Sequence, residues 1–180
     1  MKQKKATSLG SFENGIYRRD VEMETNKNVK FKLADITLPN GILRIDKIIS
    51  PLKTDFTLGH YALPEIDKQI TRKTIRVQNN DAYIINNGNY QLAMISLNGW
   101  NNLAFTATKG LHPVSENSTL ISAKDNFEGE KIFITLQLWK KGEKAFTAKE
   151  LSPVESVKIA EDKNSVEVIF KDGSAKKVMF

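Results

Sequence analysis

The side chains of this sequence that could do chemistry are few, and none of them forms a spacing known for a metal site. The two histidines, His60 and His112, are far apart, and neither belongs to a His-x-His or His-Glu-x-x-His pattern. Cysteine is absent, so thiolate ligands, thiol nucleophiles and disulfides are excluded. We therefore predict no metal and no cofactor, and we interpret His60 as a strand-end histidine bonded to backbone.

The acidic and hydroxyl side chains form no catalytic pattern either. A glycosidase needs two carboxylates held across a sugar, and the loop acids Glu65 and Glu116 would have to converge in the fold to supply them. The serines lack a Gly-x-Ser-x-Gly setting, and no Gly-x-x-x-x-Gly-Lys-Ser/Thr phosphate loop is present. The sequence leaves catalysis open, and we expect the chain on its own to be noncatalytic.

Two segments combine the side chains that ligand-binding loops use. In Asn98-Gly99-Trp100-Asn101-Asn102, an aromatic ring that could stack on a sugar is flanked by amides, and a second, polar loop runs from His112 to Thr119. Both segments have plainer interpretations, because a tryptophan beside a strand often closes the end of a β-core and polar loops often only make turns. The candidate ligand-binding residues are Trp100, Asn98, Asn101, His112, Glu116 and Asn117.

Strands must position these residues, because short runs of alternating apolar and polar residues dominate the sequence. The clearest unit is 29–38, then Pro39-Asn40-Gly41, then 42–49; Asn-Gly predicts a hairpin here, since both residues tolerate positive φ. The segment 103–111 is predicted to be irregular. Further strands are predicted at 16–24, 56–63, 71–78 and 82–86.

Two later segments predict the centre of the core. The segment 90–98 has a nearly continuous apolar middle, which is typical of a strand covered on both faces. In 131–139, alternation places the apolar even-numbered residues on one face and Phe133 and Trp139 on the other. We predict that these two are central strands, and that 154–180 is a closing three-stranded meander.

These patterns predict an all-β protein, an antiparallel β-sandwich of two sheets with at most one short helical turn. That turn would begin at Thr147 as N-cap, with Glu150 in the capping-box position. A chain of 180 residues can bury a sizeable core without disulfides, and no Pro- or Gly-rich linker divides it. We predict a disordered N-terminal segment at 1–10 and a single β-sandwich domain at 11–180.

The net charge of +6 is compatible with nucleic acid, anionic lipid or an acidic polysaccharide as partner. The lysines, however, usually alternate with apolar residues, as in Lys30-Phe31-Lys32-Leu33, which is typical of the wet face of a strand. We therefore expect no nucleic-acid partner. The basic start at 1–5 is followed by no apolar run, so we expect a soluble protein without signal peptide or membrane segment, in cytoplasm or periplasm.

Four segments carry a resemblance to a known family: 42–63, which includes Gly59-His60-Tyr61-Ala62-Leu63, 90–100, 112–120 and 134–136. On these residues the sequence resembles the C-terminal β-sandwich region of a bacterial family catalogued as domain of unknown function 2264. Members of that family resemble carbohydrate-active enzymes in which an (α/α) barrel carries the active site and the β domain follows it. Heparinase-type and other polysaccharide lyases with β-sandwich tails would give a similar sequence.

The resemblance implies an accessory role, in which the chain packs against a helical-barrel catalytic domain, rims its cleft or contacts polysaccharide. No candidate helical barrel is present in this sequence, so the resemblance assigns no catalytic residue. The leading hypothesis is a noncatalytic accessory β-sandwich domain of a glycan-processing bacterial protein, of glycoside hydrolase or polysaccharide lyase type. The alternative is an independent carbohydrate-binding module with a shallow aromatic and amide site around Trp100.

Overall fold

The computed structural model describes residues 5–24, 28–64, 71–86, 88–108, 118–142 and 144–180. In these residues it has only strands and turns, and the strands pair antiparallel in two sheets, which confirms the predicted fold class. The strands are β1 Lys5–Glu13, β2 Ile16–Glu24, β3 Lys30–Leu38, β4 Gly41–Pro64, β5 Thr71–Val77, β6 Asn80–Asn86, β7 Tyr90–Asn98, β8 Ala104–Thr108, β9 Ser118–Lys141, β10 Val154–Ile159, β11 Ser165–Phe170 and β12 Ala175–Met179.

The larger sheet has nine strands in the order β1-β2-β3-β4-β9-β7-β6-β5, and β8 pairs with β9 beside this path. Strand β9 lies between β4 and β7, so the two segments predicted as central are neighbours inside the sheet. The smaller sheet has the order β10-β11-β12 and is the predicted closing meander.

Strands β4 and β9 are each 24 residues long and pair along most of their length. Their register shifts between Ser50 and Thr54, where both hydroxyls donate to the carbonyl of Leu52 at 2.7 and 2.8 Å, and Gly129 across from the shift has a φ of 88°. A bulge of this kind bends a strand. The segments 42–49 and 56–63, predicted as separate strands, are parts of one continuous strand, in which the bulge accommodates Pro51.

Two apolar cores lie on opposite faces of the larger sheet. On one face, β4, β6, β7 and β9 pack against the smaller sheet, and the even-numbered residues 132–138 of β9 belong to this first core. On the other face, Phe133 and Met94 pack with Phe56 and Phe127, which lie beyond the bend of the long strands. The predicted faces of β9 are confirmed. Each fully buried side chain of this size contributes about 1.5–3 kcal/mol through burial.

The predicted hairpin of 29–38 and 42–49 is present as β3 and β4, and a further hairpin with an Asn-Gly turn precedes it. Asn14 and Gly15 have φ values of 52° and 76° and join β1 to β2, whereas the loop before β4 consists of Pro39 and Asn40. Gly41 is instead the first residue of β4. A Cβ there would collide with the backbone of β9 and lie 2.8 Å from the Leu138 side chain, so a close approach of strands requires this glycine.

Strands β1 and β8 occupy segments for which the sequence predicted no strand. The structure places residues 5–10 of the predicted disordered segment in β1, because β2 supplies hydrogen-bond partners for its backbone; residues 1–4 lie outside the described residues. Strand β8, in the segment predicted to be irregular, pairs with the first residues of β9. The division into a single domain stays a prediction.

The predicted capping box at Thr147 is present. The Glu150 backbone N–H donates to Thr147 Oγ1 at 3.2 Å, and the Thr147 backbone N–H donates to Glu150 Oε2 at 2.7 Å. The hydrogen bond from Lys140, followed by those from Thr147, lowers the pKa of Glu150 to about 2. This turn places Phe146 and Leu151 in the first core, so it connects the two sheets.

Candidate functional site

A pocket of about 350 Å³ lies where the turn between β5 and β6 faces the segment that follows β7. Amide side chains from both segments line it, and Trp100 lies in its wall. Amides donate and accept hydrogen bonds at once, which is what sugar hydroxyls require of a binding site. The amide residues of the pocket are Asn79, Asn80, Asn98 and Asn101.

The turn between β5 and β6 is held by its backbone and by one ion pair. Val77 and Asn80 close a two-residue loop, in which Gln78 has a φ of 55°. Arg76 and Asp81 lie opposite each other in the register, and Arg76 Nη1 lies 3.1 Å from Asp81 Oδ1. Because both side chains are exposed, the pair contributes at most about 1 kcal/mol. It forms a charged rim beside the amides.

The segment after β7 is pinned to β9 by a close backbone approach. Gly99 has a φ of 89°, and a Cβ on it would lie 2.6 Å from Phe133 Cδ1 and 2.9 Å from the carbonyl oxygen of Ile132. That same carbonyl accepts a hydrogen bond of 2.6 Å from Asn98 Nδ2. The conformation turns Trp100 inward, where its ring stacks on Phe133 with a centroid distance of 4.1 Å.

Trp100 closes the second core. It is only 5% exposed, one face of its ring is covered by Phe133, and its Nε1 is buried with no hydrogen-bond partner among the described residues. This burial matches the plainer interpretation of the tryptophan, and it leaves no broad open ring face for stacking on a sugar.

The structure brings together three of the six candidate residues. Asn98, Trp100 and Asn101 line one pocket, whereas His112, Glu116 and Asn117 lie outside the described residues, as do Glu65 and the rest of the 112–117 loop. A ligand-binding role for any of the six stays a prediction.

The residues that sequence reasoning missed come from the β5–β6 turn. Arg76 and Asp81 line the pocket together with Asn79 and Asn80. The run Asn79-Asn80-Asp81 signals a tight turn, but nothing in the sequence indicates that this turn faces the Trp100 segment. That juxtaposition depends on the pairing of β6 with β7.

Polar side chains form a row across the face of the larger sheet and reach the pocket. Arg44 on β4 lies opposite Asp35 on β3 and opposite Thr135 on β9, and Thr135 lies opposite Ser96 on β7. Ser96 lines the pocket, and Arg44 Nε donates to Asp46 Oδ1 at 2.9 Å. The Arg44 guanidinium therefore attracts two carboxylates, that of Asp46 through a hydrogen bond and that of Asp35 through its charge.

Burial raises the pKa values of the two carboxyl groups in this row. Desolvation raises the pKa of Asp46, which is 5% exposed, and outweighs the attraction of Arg44. Desolvation likewise raises the pKa of Asp35, whose Oδ1 is buried without a hydrogen-bond partner among the described residues. Asp46 itself is too deeply buried to contact a substrate.

The charged side chains of the pocket are paired with each other. Among the described residues that line it, Asp81 is the single carboxylate, and Arg76 engages it. The described part of the chain holds no group of three or more histidine, cysteine or acidic residues that could hold a metal ion. It also contains no helix long and apolar enough to cross a membrane.

The fold is similar to that of solved polysaccharide lyases. Heparan sulfate lyase HepC from Pedobacter heparinus superposes with a TM-score of 0.61 at 12% sequence identity, over 98% of this chain and 28% of that chain. A heparinase III gene product superposes with a TM-score of 0.62 at 13% identity, over 98% of this chain and 28% of its own. This chain therefore spans little more than a quarter of the length of these neighbours.

No family model matches the chain, and no curated protein matches it either. At identities of 12–13%, the structural neighbours establish the β-sandwich architecture. The resemblance to the domain of unknown function stays a prediction.

Proposed function

We propose that this chain is a noncatalytic accessory β-sandwich domain of a glycan-processing protein. One observation carries the proposal: nearly the whole chain superposes on about a quarter of two polysaccharide lyases, 98% against 28%. More than two thirds of each lyase chain thus has no counterpart in this one. The expected partner is a helical-barrel catalytic domain, and the expected glycan is a polysaccharide that this barrel processes.

The site geometry supports a binding role. The pocket offers amides, one ion pair and a buried tryptophan wall, whereas a glycosidase needs two carboxylates on either side of a sugar. Two acids of the larger sheet, the half-buried Asp35 and the buried Asp46, share Arg44 within the polar row. Their burial suits them to organising the sheet.

Sequencing the coding region around this chain tests the accessory role. We expect a helical barrel to be encoded in the same or a neighbouring reading frame, and the barrel protein to cleave a polysaccharide. A stand-alone reading frame without such a neighbour would contradict the proposal.

The second candidate is an independent carbohydrate-binding module, which the four amides of the pocket favour. The double variant Asn79→Ala/Asn101→Ala removes two of them without touching the Asn98 hydrogen bond to β9. Asn102→Ala is the matched control, because Asn102 is exposed and adjacent but does not line the pocket. Isothermal titration with polysaccharides should show weaker binding for the double variant only; equal binding by all three proteins would exclude the pocket.

A further inference from the structure

Two aromatic side chains lie half exposed on neighbouring central strands, away from the pocket. Trp139 on β9 is 46% exposed and Tyr90 on β7 is 53% exposed. Trp139 lies opposite Leu92, and Tyr90 is two residues from Leu92 on the same strand, so both rings are on the same face as diagonal neighbours. Diagonal neighbours in a sheet are about 7–8 Å apart at their Cα atoms.

Hydrogen bonds fix the backbone beneath the two rings. Gln91 is 3% exposed, and its Nε2 donates to the carbonyls of Gly142 and Lys144, each at 2.9 Å. The Gly142 backbone N–H donates to the carbonyl of Asn89 at 2.7 Å. The ends of β7 and β9 are thereby held together, so the backbone that carries Tyr90 and Trp139 is fixed before any ligand binds.

The surroundings of the rings are polar. Lys141 is exposed and lies directly opposite Tyr90, so its side chain leaves the sheet on the same face. The other large apolar side chains exposed in the described part of the chain lie on β1, β2, β4 and β12. The cores of protein–protein interfaces are depleted of charged residues, whereas the exposed Lys141 lies beside these rings.

We propose that Tyr90 and Trp139 form a stacking platform for a glycan, with Lys141 donating to the oxygens of the bound sugar. The face of a pyranose ring carries C–H groups and its edge carries oxygens, so it fits an aromatic ring beside an ammonium donor. This platform rests on the proposed function and gives the accessory domain a glycan contact separate from the Trp100 pocket.

A second aromatic pair provides the matched control. Phe12 and Tyr17 lie opposite each other on β1 and β2, and Phe12 is 68% exposed. This pair belongs to the terminal hairpin at the sheet edge, whereas the platform lies on inner strands. Phe12→Ala removes an exposed ring of similar size and leaves the platform intact.

Affinity electrophoresis of the full chain in gels containing xylan, alginate, chondroitin sulfate or heparan sulfate tests the platform. At least one polysaccharide should retard the wild-type chain, and Trp139→Ala and Tyr90→Ala should each weaken that retardation about tenfold, whereas Phe12→Ala should not. Both variants remove exposed rings, so thermal unfolding should confirm that they remain folded.

Tryptophan fluorescence gives an independent measurement, because Trp100 is buried and Trp139 is half exposed. The retarding polysaccharide should protect the wild-type chain, but not Trp139→Ala, against acrylamide quenching. Retardation unchanged in both platform variants would overturn the platform, as would a failure of all four polysaccharides to bind. A change of oligomeric state in Trp139→Ala, measured by light scattering, would instead assign the rings to a contact between copies. None of these results decides the accessory role, which the neighbouring coding sequence tests.

Discussion

Gly99→Ala should destabilise the fold by two separable effects. Gly99 has a φ of 89°, and an alanine there carries a backbone strain of about 1–2 kcal/mol. Its Cβ would also lie 2.6 Å from Phe133 and 2.9 Å from the Ile132 carbonyl, and such overpacking costs about 1–3 kcal/mol. The total loss of unfolding free energy is therefore about 2–5 kcal/mol.

Gly173→Ala is the control variant that carries the backbone strain without the overpacking. Gly173 has a φ of 85° but nothing within 4 Å of the position of its Cβ, so only the strain applies. Urea denaturation followed by circular dichroism should place Gly99→Ala below Gly173→Ala by about 1–3 kcal/mol. In a chain of this size the gap corresponds to a difference in Tm of about 2–12 °C. Equal stability of the two variants would refute the close approach of the Trp100 segment to β9.

Three other substitutions test the electrostatics of the fold by chemical denaturation at several pH values. The pKa of Glu150 is lowered to about 2, so its contribution to the free energy of unfolding is present above pH 4.5 and is lost as the pH falls. Glu150→Gln should therefore lose less stability than wild type between pH 4.5 and pH 2. The same loss in both proteins would argue against the capping box. The pKa of Asp35 is raised, so its contribution to the free energy of unfolding is complete below pH 3.8 and is lost as the pH rises. The stability of Asp35→Asn relative to wild type should therefore increase with pH. A difference in stability that does not change with pH would contradict the desolvation of Asp35. Lys47 is 3% exposed and donates to the Lys163 carbonyl and Asn164, so Lys47→Met should cost about 1–3 kcal/mol, whereas Lys158→Met, on an exposed side chain, should cost little.

The strands were predictable because alternation is a local property of the sequence. The segments 90–98 and 131–139 became neighbouring inner strands, and the capping box at Thr147 formed as its spacing indicates. The hairpin at Asn14-Gly15 carried an equally strong signal. It was missed because the serine and glycine residues of 5–13 give β1 little apolar alternation.

The remaining features depend on contacts between distant segments. Lysines that alternate with apolar residues predict a wet face, yet Lys47 is buried because the turn around Lys163 covers it. The bend of the long strands arises at a bulge that joins 42–49 and 56–63, which the sequence predicts as separate strands. The pocket likewise joins the β5–β6 turn to the Trp100 segment only through the order of the strands. Local periodicity carries no information about such pairings.

The proposed noncatalytic role is tested most directly by incubating the isolated chain with the polysaccharide that retards it and measuring new reducing ends. We predict binding without cleavage, because the pocket and the platform offer amides, rings and a cation for contact with a sugar. Reducing ends that increase in proportion to the concentration of the isolated chain would contradict it.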